Sequence, residues 1–202
     1  GSWSSAADIV RLMDELPDGT LLVLDEAYGE FAPPGTLAPL DVTRKNVLRY
    51  RTFSKAYGMA GLRVGYGFMS STALAEAFHR VRNTFNLNIV AQAAALAAFE
   101  DQDYMWARVK ECVAERERLR ARVDGLGLRC FRSAGNFLLI ELPMDAAAAQ
   151  AALRQQGIAV STVKAPGFER HIRVTISGPD DNDAFFGALA ALAAPASRAA
   201  RA

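Results

Sequence analysis

Cysteine is nearly missing from this chain: Cys112 and Cys130 are the only two in 202 residues. Two thiols so scattered build neither a disulfide framework nor a zinc site, and a reducing cytosol is the expected compartment. Net charge is almost absent too, at +1 from 23 basic and 22 acidic residues. That removes the electrostatic case for nucleic acid or an anionic membrane as partner. No apolar run approaches about 18 residues, and no basic segment leads into a short apolar one. Neither a membrane span nor a signal peptide is therefore expected. Lysine is scarce as well. Lys45, Lys55, Lys110 and Lys164 are the only four, in a chain that otherwise takes its positive charge from arginine.

What is present is the composition of an ordinary soluble globular protein, with 51% hydrophobic and 22% charged residues, enough for a sizeable core in one large domain or two small ones. Ile9, Leu12, Met13 and Leu16 recur at helical intervals over residues 6–16, with Ser4 or Ser5 available as N-cap, and Pro17-Asp18-Gly19 turns the chain. Leu21 to Leu24 is a continuous apolar run, the pattern of a strand covered on both faces in a parallel sheet, and Val47 to Tyr50 reads as a second buried strand. A third strand is expected over Val64 to Met69. Helices are expected over 72–82, capped by Ser71 or Thr72, over 89–99, and over 103–123, where Gly125-Leu126-Gly127 ends the run. The arginines at 116, 118, 120 and 122 read as a solvated face.

After Gly127 the texture changes. Short strands at 128–131, 136–141, 158–161 and 172–176 alternate with helices at 145–155 and 180–193. The fold class expected is α/β: residues 1–102 part of a mostly parallel, helix-covered domain, residues 103–194 a long helix with a smaller α+β unit, and 195–202 a disordered tail.

The candidate chemistry sits at two strand ends. In such sheets ligands bind beyond the carboxyl ends of strands, and Asp25 and Lys55 both fall there. Taken singly, each has a plainer reading: a loop lysine in solvent, an acid turning outward at a strand end, and for Arg63 a surface ion pair. Together they point to one crevice. Lysine can lose its proton in a protein where arginine cannot, which suits a chain that writes Arg nearly everywhere else. A carboxylate about 4 Å from a protonated pyridine nitrogen gains on the order of 4 kcal/mol. That is roughly three pK units, enough to keep a weakly basic ring charged near neutrality.

Asp25-Glu26-Ala27-Tyr28-Gly29-Glu30-Phe31, followed by Arg51-Thr52-Phe53-Ser54-Lys55-Ala56-Tyr57-Gly58 and Ala60-Gly61-Leu62-Arg63-Val64-Gly65-Tyr66, resembles the class I/II, fold-type-I aminotransferases that use pyridoxal 5′-phosphate (PLP). Within them it is most similar to the histidinol-phosphate aminotransferase branch. The resemblance implies that Lys55 carries PLP as a Schiff base and shuttles the proton of the substrate Cα. It implies that Asp25 holds the ring nitrogen, Tyr28 the ring hydroxyl, and Thr52, Ser54 and Arg63 the phosphate. Arg63 offers a fork of donors that matches a phosphate, and Gly58 and Gly61 are expected to let the backbone turn tightly.

In His171-Ile172-Arg173-Val174-Thr175-Ile176, Arg173 reads from the residues alone as a partly buried structural pair or a ligand contact; the resemblance makes it the arginine that grips the substrate's acidic group, with Asn136 also lining the site. His171 is expected to be an exposed or satisfied strand residue. The family implies ping-pong transfer from an amino acid or histidinol phosphate to a 2-oxoacid such as 2-oxoglutarate, in amino-acid biosynthesis, by a cytoplasmic homodimer. A PLP-dependent amino-acid(-phosphate) decarboxylase and a non-catalytic assembly module are the alternatives.

Two departures stand out. Ser161 occupies a position where histidinol-phosphate enzymes often carry a second arginine, and about half of the family's chain has no counterpart here. The missing half is expected from the same or another chain, and the 202 residues alone are expected to be inactive.

Overall fold

A computed structural model describes residues 1–41, 43–44, 46–69 and 71–199. Lys45 lies outside them. Two compact units result, one of residues 3–109 and one of Gly1–Ser2 with the chain from Lys110 onward.

The first unit opens with helix α1 (Ala6–Glu15), capped by Ser5, whose hydroxyl accepts from the Asp8 amide at 3.1 Å. Strands β1 (Leu22–Asp25), β2 (Val47–Thr52) and β3 (Gly65–Met69) form a sheet in that order. β1 and β2 are parallel, with Asp25 opposite Tyr50, whereas β3 returns antiparallel. The direction of β3 has a local cause. Parallel neighbours need a long crossover, usually a helix, and residues 53–64 hold only a single 3-10 turn at Ala60–Leu62. Helix α2 (Thr72–Val81) is capped by Ser71, and α3 (Ile89–Glu100) by Asn88. Phe53, Val64, Ala91 and Ala95 are the buried centre, with Tyr57 and Tyr66 packed against them. Each large apolar side chain so buried contributes roughly 1.5–3 kcal/mol.

β1 differs from the expectation of a strand covered on both faces. Its residues alternate between half-buried and exposed, with Val23 49% exposed and Leu21, just before the strand, 43% exposed. Periodicity identifies the apolar run but not what lies over it.

Helix α4 (Gln102–Gly125) carries the chain from the first unit into the second. The second unit contains β4 (Arg129–Cys130), β5 (Phe137–Glu141), helix α5 (Ala146–Gln155), β6 (Ser161–Thr162), β7 (His171–Thr175) and helix α6 (Pro179–Ala199). Its sheet is antiparallel throughout, in the order β4-β5-β7-β6. The strand expected over 158–161 is observed as two residues, Ser161–Thr162, and just before it the Val160 carbonyl accepts from the Gln150 side-chain amide at 2.7 Å. Leu119, Leu138, Ile140, Leu153, Ile172 and Leu189 are fully buried and form one core. α6 stays helical to Ala199, within the segment expected to be a disordered tail, and residues 200–202 lie outside the described ones.

Candidate active site

Asp25 ends β1, and its carboxylate Oδ1 accepts from the Ala27 amide at 2.9 Å. This local bond turns the chain out of the strand and fixes the acid at the sheet's carboxyl end. Tyr28 follows directly. Across the parallel ladder β2 ends at Thr52, and three residues later Lys55 places Nζ 5.3 Å from the centroid of the Tyr28 ring. The lysine and the phenol, 27 positions apart in the chain, are thereby brought together.

The loop that presents Lys55 is tied down. The Phe53 amide donates to Val64 O at 3.1 Å, Met59 to Phe53 O at 2.9 Å, and Gly58 to Lys55 O at 3.0 Å. Gly58 has φ +69°, the left-handed conformation a glycine supplies without strain. Gly61, expected to serve the same purpose, has an ordinary φ inside the 3-10 turn with open space around it. The left-handed residue there is Arg63 itself, with φ 54°. A non-glycine residue held in this region costs on the order of 1–3 kcal/mol and such strain clusters at functional sites.

Arg63 is exposed, and its Nη1 reaches Ala60 O at 2.8 Å and Ser54 Oγ at 3.5 Å. A guanidinium and a hydroxyl therefore converge where an anion can be gripped. Thr52 is used differently. Its Oγ1 accepts from the Ser54 amide at 3.0 Å and faces Val64 O at 3.5 Å, so it shapes the turn that carries Ser54.

Behind the site lies a charged cluster that the sequence reading missed. Glu26 points to the face opposite Asp25 and binds Arg49 at 2.6 Å and Arg51 at 3.1 Å. Arg49 also donates to Ala38 O and Pro39 O. Glu30 stands 3.7 Å from Arg51, and burial pushes its carboxyl pKa up. The available signal was alternation: Arg49 and Arg51 are two apart on β2 and must share a face.

Arg173 and Asn136 belong to the second unit. Arg173 is exposed on β7, with Ser161 directly across the β6 ladder and the Phe137 ring 5.4 Å away. Asn136 O accepts from the Ile176 amide at 2.8 Å, and the neighbouring Gly135 O accepts from Arg116 Nη1 at 2.8 Å. His171 departs from expectation. It is only 8% exposed, lies between the rings of Phe131 and Phe168, and its Nδ1 has no hydrogen-bond partner among the described residues. Among the described residues no cluster of His, Cys, Asp or Glu could hold a metal, and no helix is long and apolar enough to cross a membrane.

The family profile described as aminotransferase class I and II matches residues 1–185. Histidinol-phosphate aminotransferase 3 of Rhizobium meliloti is 41% identical over 94% of this chain and 52% of its own length. Histidinol-phosphate aminotransferase 2 of Caulobacter vibrioides is 41% identical over 95% of this chain and 50% of its own. The crystal structure of a histidinol-phosphate aminotransferase from Sinorhizobium meliloti in complex with pyridoxal 5′-phosphate superposes with a TM-score of 0.86 at 36% identity, over 96% of this chain and 55% of that one. The chain thus spans about half the length of the relatives it matches.

Proposed function

Because the chain belongs to the class I and II aminotransferases, we propose that it carries the lysine, acid and phosphate-side residues of a PLP-dependent aminotransferase. The donors are histidinol phosphate or another amino acid, in amino-acid biosynthesis, and the acceptor is a 2-oxoacid such as 2-oxoglutarate. The observation that carries this reading is the convergence of Lys55 and Tyr28 at 5.3 Å, beside the strand end that bears Asp25.

The residues fit the cofactor's chemistry. An amine, a phenol and a carboxylate stand at adjacent strand ends, and a guanidinium with a hydroxyl supplies the anion grip 3.5 Å apart. Bound PLP supplies an electron sink for charge developing at the substrate Cα. Lys55 takes and returns the Cα proton. Asp25 keeps the ring nitrogen protonated, Tyr28 donates to the ring hydroxyl oxygen, and Arg63 and Ser54 hold the phosphate end, with Thr52 serving it through the turn that carries Ser54. Arg173 and Asn136 contact the substrate, an assignment supported by the exposure of Arg173 on β7.

The active form is proposed to be a cytoplasmic homodimer that includes the half of the relatives' length not matched here. Two observations support further chain over the first unit. Leu21, just before β1, and Val23 on it are exposed, and α3 is apolar on all sides yet buries only Ala91 and Ala95. A helix apolar all round is one that something covers. The 202 residues alone are expected to be inactive.

The test is to express the chain with the missing half, from its own polypeptide or a relative, and supply PLP. Amino transfer from histidinol phosphate or an aromatic amino acid to 2-oxoglutarate, abolished in Lys55→Ala, is the expected result. Release of CO2 without amino transfer would overturn it.

A further inference from the structure

We propose that Ser161 is a specificity-determining residue that sets the Arg173 site to take a carboxylate, so that the donor is a 2-amino acid and not a phosphate monoester. This rests on the substrate role given to Arg173 above. Ladder register places the groups. Arg173 of β7 is paired with Ser161 of β6 on one flank and with Leu139 of β5 on the other. Directly opposed residues stand on the same face of a sheet, with Cβ atoms about 4.5–5.5 Å apart. Arg173 and Ser161 are both exposed there, and the Phe137 ring centroid lies 5.4 Å from the guanidinium. The arginine is thus flanked by a hydroxyl, an aliphatic side chain and a ring, all neutral. Among the described residues Arg173 pairs with no carboxylate, and the Ser161 hydroxyl makes no hydrogen bond. Both remain available to a ligand.

Other cations of this sheet are engaged elsewhere. Arg170, just before β7, and Arg129 on β4 both lie against Glu141, at 2.7 and 3.7 Å. The Gly1 amine also feels Arg173, but burial first and the guanidinium second lower its pKa below the ordinary 8.0, which favours its neutral form. Charge and shape then select the ligand. A guanidinium fork meets the two oxygens and the single charge of a carboxylate in one bidentate pair. A phosphate monoester carries close to two charges near neutrality and presents a third oxygen. Ser161 can donate one neutral bond to that oxygen but cannot balance the second charge, and Leu139 offers nothing.

Histidine and histidinol phosphate test this, because they share the amine and the imidazole and differ in the acidic group. In the PLP-free protein carrying both halves, calorimetry is expected to show histidine bound more tightly than histidinol phosphate. Ser161→Arg sets a second guanidinium across the ladder. It should raise the affinity for histidinol phosphate roughly ten- to hundredfold, the effect of a charge-assisted hydrogen bond, and that for histidine far less. Ser161→Gln, long but uncharged, should not produce the gain. With PLP bound, kcat/KM for the two donors should follow the same order. Tighter binding of histidinol phosphate by the parent, or an affinity ratio in Ser161→Arg equal to the parent's, would overturn the proposal. Weakened binding of both donors in Arg173→Ala would then show that the substrate site itself stands. If neither donor binds, or Arg173→Ala weakens neither, the substrate role of Arg173 fails and the specificity of Ser161 fails with it.

Discussion

Glu26 and Arg49 meet at 2.6 Å on the face of the first sheet opposite Asp25, and both side chains are more than nine-tenths buried. Arg49 is further satisfied by two backbone carbonyls in the loop before β2. A buried ion pair is weak evidence of net stability, but removing one partner strands the other charge without water. Glu26→Ala is therefore expected to destabilise the first unit by roughly 3–5 kcal/mol in urea denaturation. A loss within about 1 kcal/mol would mean that Arg49 and Arg51 find other partners and that the cluster does not anchor β1 to β2.

Glu30 gives this cluster a pH dependence with a definite sign. Burial first, and the Glu26 charge last, raise its carboxyl pKa above the ordinary 4.5, against the lowering influence of a backbone bond and Arg51. A raised acid binds its proton more readily in the folded chain than in the unfolded one. Folding then loses stability as pH rises from about 4.5 through the folded-state pKa, where the buried group must ionise. Glu30→Gln should remove this loss, so its stability relative to the parent should increase from acid to neutral pH. Parallel denaturation curves at pH 4 to 8 that do not diverge would refute the assignment.

Much of this was legible in the letters. Ser5 and Ser71 cap helices because each offers a side-chain oxygen to the amide three residues on, and such residues announce themselves before an apolar-periodic run; Asn88 caps α3 in the same way but reads in the sequence as the end of a polar loop. The placement of Asp25 and Lys55 at adjacent carboxyl ends followed from two apolar runs and the rule for α/β sheets. The direction of β3 was not legible from periodicity, since a run of apolar residues reads alike in either sense. The buried pair Glu26–Arg49 was hidden for a different reason: charges inside a strand pattern read as solvent-facing until the partner across the ladder is known. Arg116 failed in the same way. Of the run at 116, 118, 120 and 122, Arg118, Arg120 and Arg122 make exposed or half-exposed ion pairs, whereas Arg116 is 4% exposed.

The glycines of the Lys55 loop separate by position. A Cβ on Gly65 would stand 2.7 Å from Arg51 O, a backbone atom that cannot swing aside, whereas one on Gly61 meets nothing within 4 Å. Gly65→Ala is expected to cost about 1–3 kcal/mol by forcing β2 and β3 apart. Gly61→Ala, at an ordinary φ, should be neutral or stabilise by a few tenths of a kcal/mol through the unfolded chain. Thermal denaturation of the two variants decides. Equal midpoints would mean that the β2–β3 pairing is looser than the 2.7 Å approach requires.

Arg116 and Arg120 offer the sharpest contrast, because they lie one helical turn apart on α4 and share the Glu117 carboxylate, yet differ in burial. Arg116 donates to Gly135 O at 2.8 Å from a buried position, and Gly135 N in turn donates to Ser133 Oγ at 3.1 Å. The arginine thus holds the turn that leads into Asn136 and β5. Arg120 pairs with Glu117 and Asp124 at 2.9 and 3.0 Å in partly exposed positions. Replacing each by methionine keeps most of the volume and removes the charge. Arg116→Met is expected to cost about 1.5–3 kcal/mol, the value of a hydrogen bond from a charged donor to a carbonyl left buried. Arg120→Met should cost less than about 1 kcal/mol, as exposed pairs do. Chemical denaturation measures both; a cost for Arg116→Met no larger than for Arg120→Met would mean that the Gly135 carbonyl finds another donor, and that the turn before Asn136 stands without α4.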